Sequence, residues 1–370
     1  MEKKLSICFI SPYLPKSFGG GEKYLLDCAA LLASQHQVYV AVPKQSRPRT
    51  KQQLNEIKLE YAQFLNKDLT KVEFIDSPFF SDSSFWKRLK FTQQFDVIYY
   101  QTDGSLFFSL AKKNILHIQI PFAINKNTFF DRVKLWNWQI INTNSYFTKK
   151  VIEKWWQVKV NFVHQPMIDF PAQDKFVKEK IILNVGRFFT HLHAKRQDVL
   201  ITTFIDMLKK FPSQTMGWKL VLIGKVEDEV YLDKLVSLAK NYPIYFYHHL
   251  TKQEVNQYYQ KTSIYWHGAG FEINELQNPE KVEHFGIATA EAMSYGCVPV
   301  VVGKGGQLEV LGEKLSQFLW QTPEECQQKT IELISDPKLL AQSANIARLQ
   351  AKNFDGRTFN QILLSMIGSN

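Results

Sequence analysis

Short apolar runs alternate with amphipathic stretches along nearly the whole chain. In the first half the runs fall at 5–10, 38–42, 72–75, 96–100, 115–119, 139–142 and 159–163. Each has strand length and polar or turn-forming neighbours. Residues 22–34 place Tyr24, Leu25, Cys28, Leu31 and Leu32 three and four apart, the spacing of one helical face. A further helix is expected over 145–156, capped by Asn144 or Ser145. The alternation pauses at 166–179, where Pro166, Pro171 and a dense polar run predict a linker.

It then restarts. Strands are expected at 181–185, 220–223, 244–247, 263–266 and 297–302, with helices at 198–211, 228–240 and 286–295. Thr251-Lys-Gln-Glu254 is a capping box that opens another helix. Thr322-Pro-Glu-Glu325 and Asp336-Pro337 open two more. The unbroken apolar run 297–302 is that of a strand buried on both faces. The expected class is α/β: two doubly wound Rossmann-like domains over 1–165 and 180–354, joined by the 166–179 linker. A C-terminal helix over 355–370 is expected to pack back on the N-terminal domain. Open α/β sheets bind ligands outside the carboxyl ends of their strands, so two such domains should face a central cleft.

Composition narrows the function classes. The 370 residues are 45% hydrophobic and 22% charged, which excludes a disordered or collagen-like chain. The net charge is +10 and aromatics reach 14%, so nucleic acid and membrane surfaces are the first partners to weigh. The charge is lopsided. Residues 1–170 hold 23 Lys+Arg and 14 Asp+Glu, a net +9; residues 171–370 hold 22 and 21, a net +1. Cys8, Cys28, Cys297 and Cys326 form no CxxC pair and are expected as buried free thiols. No run approaches the ~18 apolar residues of a membrane span. The apolar run after Lys3 and Lys4 is too short for a signal peptide, so a cytoplasmic location is expected.

Three segments carry candidate chemistry. Phe18-Gly19-Gly20-Gly21-Glu22-Lys23 follows the first strand and opens the first helix, a place where backbone amides attract anions. It is neither GxGxxG nor a P-loop. Gly186-Arg187 lies at the end of the first strand of the second domain, with Lys195-Arg196 shortly after. A guanidinium fork and an ammonium there suit a diphosphate. In Glu283-His284-Phe285-Gly286-Ile287-Ala288-Thr289-Ala290-Glu291, Glu291 interrupts an apolar helical run and so needs a partner, a need that sugar hydroxyls would meet. Glu283 falls in the loop before the helix, where amides at Phe285, Gly286 and Ile287 could donate. His191 and His193 lack a Cys or carboxylate partner at metal spacing and are taken as loop residues; no metal and no cofactor are expected.

Together these segments resemble the retaining GT-B glycosyltransferases, in particular the large family four group. The resemblance rests on Glu283-x7-Glu291 within EHFGIATAEAMSYGCVPVVVGKGGQLEV, on FGGGEKY, and on NVGRF followed by KRQDVLI, and spans residues 18–310. It implies that Arg187 and Lys195 hold a donor diphosphate, with Arg196 the rival of Lys195. It implies that Glu291 accepts ribose hydroxyls and that Glu283 faces the donor sugar, helped by amides at Phe285, Gly286 and Ile287. Gly20 and Gly21 would line the phosphate, and His117 would match the histidine that the family places near the donor sugar; its alternative is a packed core histidine. The EHFG form is similar to that of mannosyltransferases using GDP-mannose.

The implied activity is retaining, metal-independent hexosyl transfer from a nucleotide-diphosphate sugar, GDP-mannose or a UDP-sugar, to a lipid-linked or glycan acceptor. The basic first half would take the acceptor. Its Lys/Arg–aromatic stretches, such as Trp86-Lys87-Arg88 and Arg132 to Trp138, suit an anionic membrane surface and a peripheral place on the inner face of the cell membrane. A nucleotide-sugar hydrolase or epimerase of the same fold is an alternative. A non-catalytic nucleic-acid or membrane binder is another, although no nucleic-acid module is present and none is expected as partner.

Overall fold

The computed structural model describes residues 4–15, 18–43, 48–79, 83–122, 128–173 and 175–368. It divides into two compact units, residues 1–167 with 357–370, and residues 168–356.

In the first unit the elements are β1 (Ser6–Ile10), α1 (Gly20–Leu32), β2 (Gln37–Pro43), α2 (Lys51–Leu65), β3 (Val72–Ser77), α3 (Phe85–Thr92), β4 (Val97–Thr102), β5 (Lys113–Ile118), α4 (Phe129–Trp136), β6 (Ile140–Thr143), α5 (Tyr146–Trp156) and β7 (Phe162–Val163). The strands form one sheet in the order β3-β2-β1-β4-β5-β6-β7. Every pairing in it is parallel. Parallel strands need crossover helices, and these cover both faces, which is why β4 is buried at all six positions. Thr50 and Thr128 start α2 and α4 with complete capping boxes, closed by Gln53 and Asp131.

The second unit repeats the plan: β8 (Glu179–Val185), α6 (Gln197–Lys210), β9 (Lys219–Ile223), α7 (Glu229–Ala239), β10 (Ile244–Tyr247), α8 (Lys252–Lys261), β11 (Thr262–His267), α9 (Ile287–Ser294), β12 (Val298–Val302), α10 (Gln307–Leu311), β13 (Leu319–Trp320), α11 (Pro323–Ser335) and α12 (Pro337–Ala351). Its parallel sheet runs β10-β9-β8-β11-β12-β13. The expected capping box at Thr251 is formed, with Glu254 closing it. Ile168 donates its amide to the Phe354 carbonyl at 3.0 Å, so this unit starts immediately after Met167.

The last helix, α13 (Gly356–Gly368), returns to the first unit. Phe359, Leu363, Met366 and Ile367 join the core formed by α1, α2 and one sheet face. The Lys113 ammonium donates to the Ile367 carbonyl at 2.8 Å, near the carbonyl-rich end of the helix. Leu363 is fully buried. Leu363→Ala should therefore lower the stability of this unit by ~2–5 kcal/mol, read as a shifted urea midpoint. An unchanged midpoint would contradict the packing of α13.

Candidate active site

The carboxyl ends of the strands in the second unit carry loops that approach one another closely because glycines leave room. A Cβ on Gly186, just after β8, would lie 2.6 Å from Lys195 Cγ. The lysine stem therefore crosses the Gly186 backbone. A Cβ on Gly224, after β9, would lie 2.0 Å from the Gly186 carbonyl oxygen. Gly305 and Gly306 likewise press on the backbone of residues 283–285, and the Gly306 amide donates to the Glu283 carbonyl at 2.8 Å. Gly286 has φ +109°, a left-handed conformation that favours glycine, and opens α9. These contacts fix the Glu283 loop against the start of α9, whose first amides have no partner within the helix.

Glu283 is the electrostatic centre. The Lys195 ammonium lies 2.6 Å from its Oε2, and His267 Nε2, at the end of β11, lies 2.9 Å from the same oxygen. The Ala269 amide donates to His267 Nδ1, which places the imidazole proton on Nε2, facing the carboxylate. Burial opposes charge on Glu283, but Lys195 and the His267 donor outweigh it and hold the carboxyl well below its ordinary range. Burial pushes His267 down in turn, so it donates as a neutral ring.

Arg187 stacks 4.5 Å from the Phe189 ring centroid. Its Nη1 pairs with Glu227 at 3.1 Å, and its Nη2 lies 3.3 Å from His193 Nε2. Arg196 turns elsewhere, to Asp198, Glu272 and the Phe271 carbonyl. Lys195 is thus the cation that meets Glu283, and Arg196 the one that anchors the loop. His193 lies in the loop between β8 and α6, as expected, and sits between Arg187 and His284: the two histidine rings are 5.5 Å apart, edge to face. Among the described residues no group of three or more His, Cys, Asp or Glu side chains is placed to hold a metal ion.

Glu291 is only 7% exposed, and it has protein partners. Lys252 lies 2.5 Å from Oε1, and the Tyr259 hydroxyl donates to Oε2 at 3.4 Å. The partner that a buried carboxylate needs is thus present within the protein: Lys252, in the first turn of α8, supplies the opposite charge.

The remaining candidates lie in the first unit. Gly20 and Gly21 form the first turn of α1. A Cβ on Gly21 would sit 2.7 Å from Gln119 Oε1 and 2.8 Å from Gln101 Nε2, so this glycine lets α1 approach the ends of β4 and β5. His117 is completely buried. It stacks on Tyr24 at 4.0 Å, with Nδ1 2.5 Å from Asn142 Oδ1, and burial lowers its pKa to about 3. The structure therefore places His117 as a core histidine rather than at a surface. The sequence reading missed His267, Lys252 and Tyr259. Lys252 follows the Thr251 cap that was read, and His267 follows an apolar strand directly, so position carried a signal for both.

The family model described as "Glycosyl transferases group 1" matches residues 168–350. The second unit belongs to that family. A GDP-Man:Man(3)GlcNAc(2)-PP-Dol alpha-1,2-mannosyltransferase of Dictyostelium discoideum is 23% identical to the chain over 305 residues, covering 73% of this chain and 58% of that protein. The chain thus spans a little over half the length of this relative. HepE of Anabaena, solved with UDP and glucose, shares 17% identity with a TM-score of 0.68, covering 99% of this chain and 100% of that one. A glycosyltransferase from Rickettsia africae shares 12% with a TM-score of 0.72 at the same coverages. Likeness over whole chains at such identities shows a shared fold: two Rossmann-like units, the GT-B class.

In the group 1 unit the Glu283 cluster makes a pH prediction. A carboxyl held below its ordinary value adds stability above the unfolded pKa of about 4.3, and that stability is lost as pH falls through the folded value. Lys195→Met removes the main cause of the depression. Its urea midpoint should therefore fall less than that of the wild type as pH drops from about 5 to below about 4.3. Identical pH dependence in the two proteins would contradict the pairing.

Proposed function

We propose that the chain is a retaining glycosyltransferase that moves a hexose from a nucleotide-diphosphate sugar to a lipid-linked or polysaccharide acceptor. The observation that carries this reading is the cluster at the strand ends of the group 1 unit, where Lys195, His267 and Glu283 meet beside the glycine-bounded start of α9. The relative named for GDP-Man and a PP-Dol-linked oligosaccharide supports GDP-mannose as donor and a lipid-linked acceptor. The UDP complex of HepE keeps UDP-sugars as the second donor class.

In this reading the departing nucleotide diphosphate gains charge as its bond to the anomeric carbon breaks. Arg187, Lys195 and the amides of Phe285, Gly286 and Ile287 stabilise that charge, and such preorganised stabilisation is commonly the largest catalytic contribution. The acceptor hydroxyl bonds to the anomeric carbon from the side the diphosphate leaves, and its proton passes to a departing phosphate oxygen. Glu291 accepts the ribose hydroxyls, and Glu283 meets the donor sugar as a carboxylate. No step needs a metal, because cations and helix amides already face the charge. Stabilisation by GDP or UDP in a thermal-shift panel tests this, with Glu291→Ala and Arg187→Ala abolishing most of the shift. No response to any nucleoside diphosphate would contradict it.

The first unit is assigned to the acceptor. Phe91 of α3 and Leu135 of α4 pack into the core on one sheet face, while the outer sides of these helices expose Trp86 (70%), Phe129 (74%), Phe130 (71%) and Trp136 (77%). Lys87, Lys90 and Lys134 stand among them. Exposed aromatics with lysines fit an anionic lipid surface, and this is the basis for a peripheral membrane location. Among the described residues no helix is long and apolar enough to cross a membrane. The chain should co-float with phosphatidylglycerol-containing vesicles at low salt, and Trp136→Ala with Phe130→Ala should reduce the bound fraction several-fold. Absence of binding at low salt would remove the membrane assignment and leave the transferase assignment standing.

A further inference from the structure

The sequence between Arg187 and Lys195 contains a histidine that the family resemblance does not account for. Arg187 Nη2 lies 3.3 Å from His193 Nε2. A guanidinium only donates, so Nε2 accepts and the imidazole proton sits on Nδ1. That nitrogen is buried and has no hydrogen-bond partner. The ring next to it is His284, whose own Nε2 is also buried and without a partner. The carbonyls of Pro279 and Glu280 hydrogen bond the His284 ring, and with Nε2 unpartnered that bond falls to Nδ1–H. The two rings meet edge to face at 5.5 Å with no hydrogen bond between them, so His193 meets the Glu283 loop through ring packing.

We propose that His193 is a positioning residue for Arg187, and that with His284 it ties the guanidinium to the Glu283 loop. This rests on the donor-binding role given to Arg187 above. The arrangement needs both rings neutral. Burial and the Lys195 ammonium keep His193 well below its ordinary value, and burial brings His284 down to about 4. A neutral His193 orients Arg187 without adding a third positive charge beside Arg187 and Lys195. Glu227 holds the other guanidinium nitrogen and Phe189 its face, so His193 fixes the remaining direction.

The test is calorimetric titration of the full chain with GDP and with UDP at neutral pH, using the tighter of the two. His193→Ala should weaken binding about tenfold, the loss of one hydrogen bond to a charged group. His193→Gln should restore most of it, because its amide oxygen reaches the place where Nε2 accepts from Arg187. In the Arg187→Ala background, His193→Ala should cost nothing more, and His193→Ala and His284→Ala should combine to less than the product of their separate losses. A residue that only packs the loop would give losses that multiply and would not be rescued by Gln. Wild-type affinity in His193→Ala, or losses that multiply, overturns this inference while an Arg187→Ala defect preserves the transferase reading. Failure of the wild type to bind either nucleotide overturns both.

Discussion

A carboxylate is kept charged inside the group 1 unit by an ammonium 2.6 Å away, and the surrounding loops are arranged around that pair. Charge in a poorly solvated place is costly unless it is paired and hydrogen bonded. Lys195 reaches Glu283 only because Gly186 lets its stem cross the β8 end. Glu283 stays in reach only because Gly305 and Gly306 seat its loop and Gly286 turns it into α9. His267 completes the oxygen's partners from β11 in the tautomer that Ala269 imposes. The ends of three strands, β8, β11 and β12, thus contribute to one ion cluster, as open parallel sheets allow.

The second carboxylate follows the same rule with different partners. Glu291 sits in an otherwise apolar stretch of α9 and is balanced by Lys252 from α8 and by Tyr259. Both of its oxygens thus have a protein partner that orients the carboxylate. The first unit places its polar side chains differently. Its polar interior, where Tyr24, Tyr99, Asn142, His117 and His164 share hydrogen bonds, is sealed beneath α1. Its outer surface differs: α3 and α4 expose Trp86, Phe129, Phe130 and Trp136 beside lysines.

Much of this was legible from residue order. Apolar runs of strand length with helices between them gave the parallel sheets, because burial on both faces leaves continuous apolar strands such as 298–302. Glu291 and Arg187 were legible because a carboxylate in an apolar helical run and a guanidinium at a strand end stand out, and the glycines because they mark where loops approach closely. Partners across the fold were not. Nothing local says that Lys252 would face Glu291 across 39 residues, or that Lys195 rather than Arg196 would turn inwards. Helices α2 and α4 were missed as separate elements although Thr50-x-x-Gln53 and Thr128-x-x-Asp131 marked their starts. For His117 the two readings, a motif match and a packed core histidine, could not be separated from residue order; β5 buries the ring against Tyr24.

The central claim is that the Glu283 cluster is where a nucleotide-diphosphate sugar binds. A crystal structure of the chain soaked with GDP-mannose, or with a UDP-sugar if that binds more tightly, tests it most directly. The account predicts the diphosphate on Lys195 and Arg187, the ribose on Glu291 and the sugar beside Glu283. Density for the nucleotide at the separate groove lined by Tyr245, Tyr258 and Lys261 instead, with the Glu283 cluster unchanged, would contradict it.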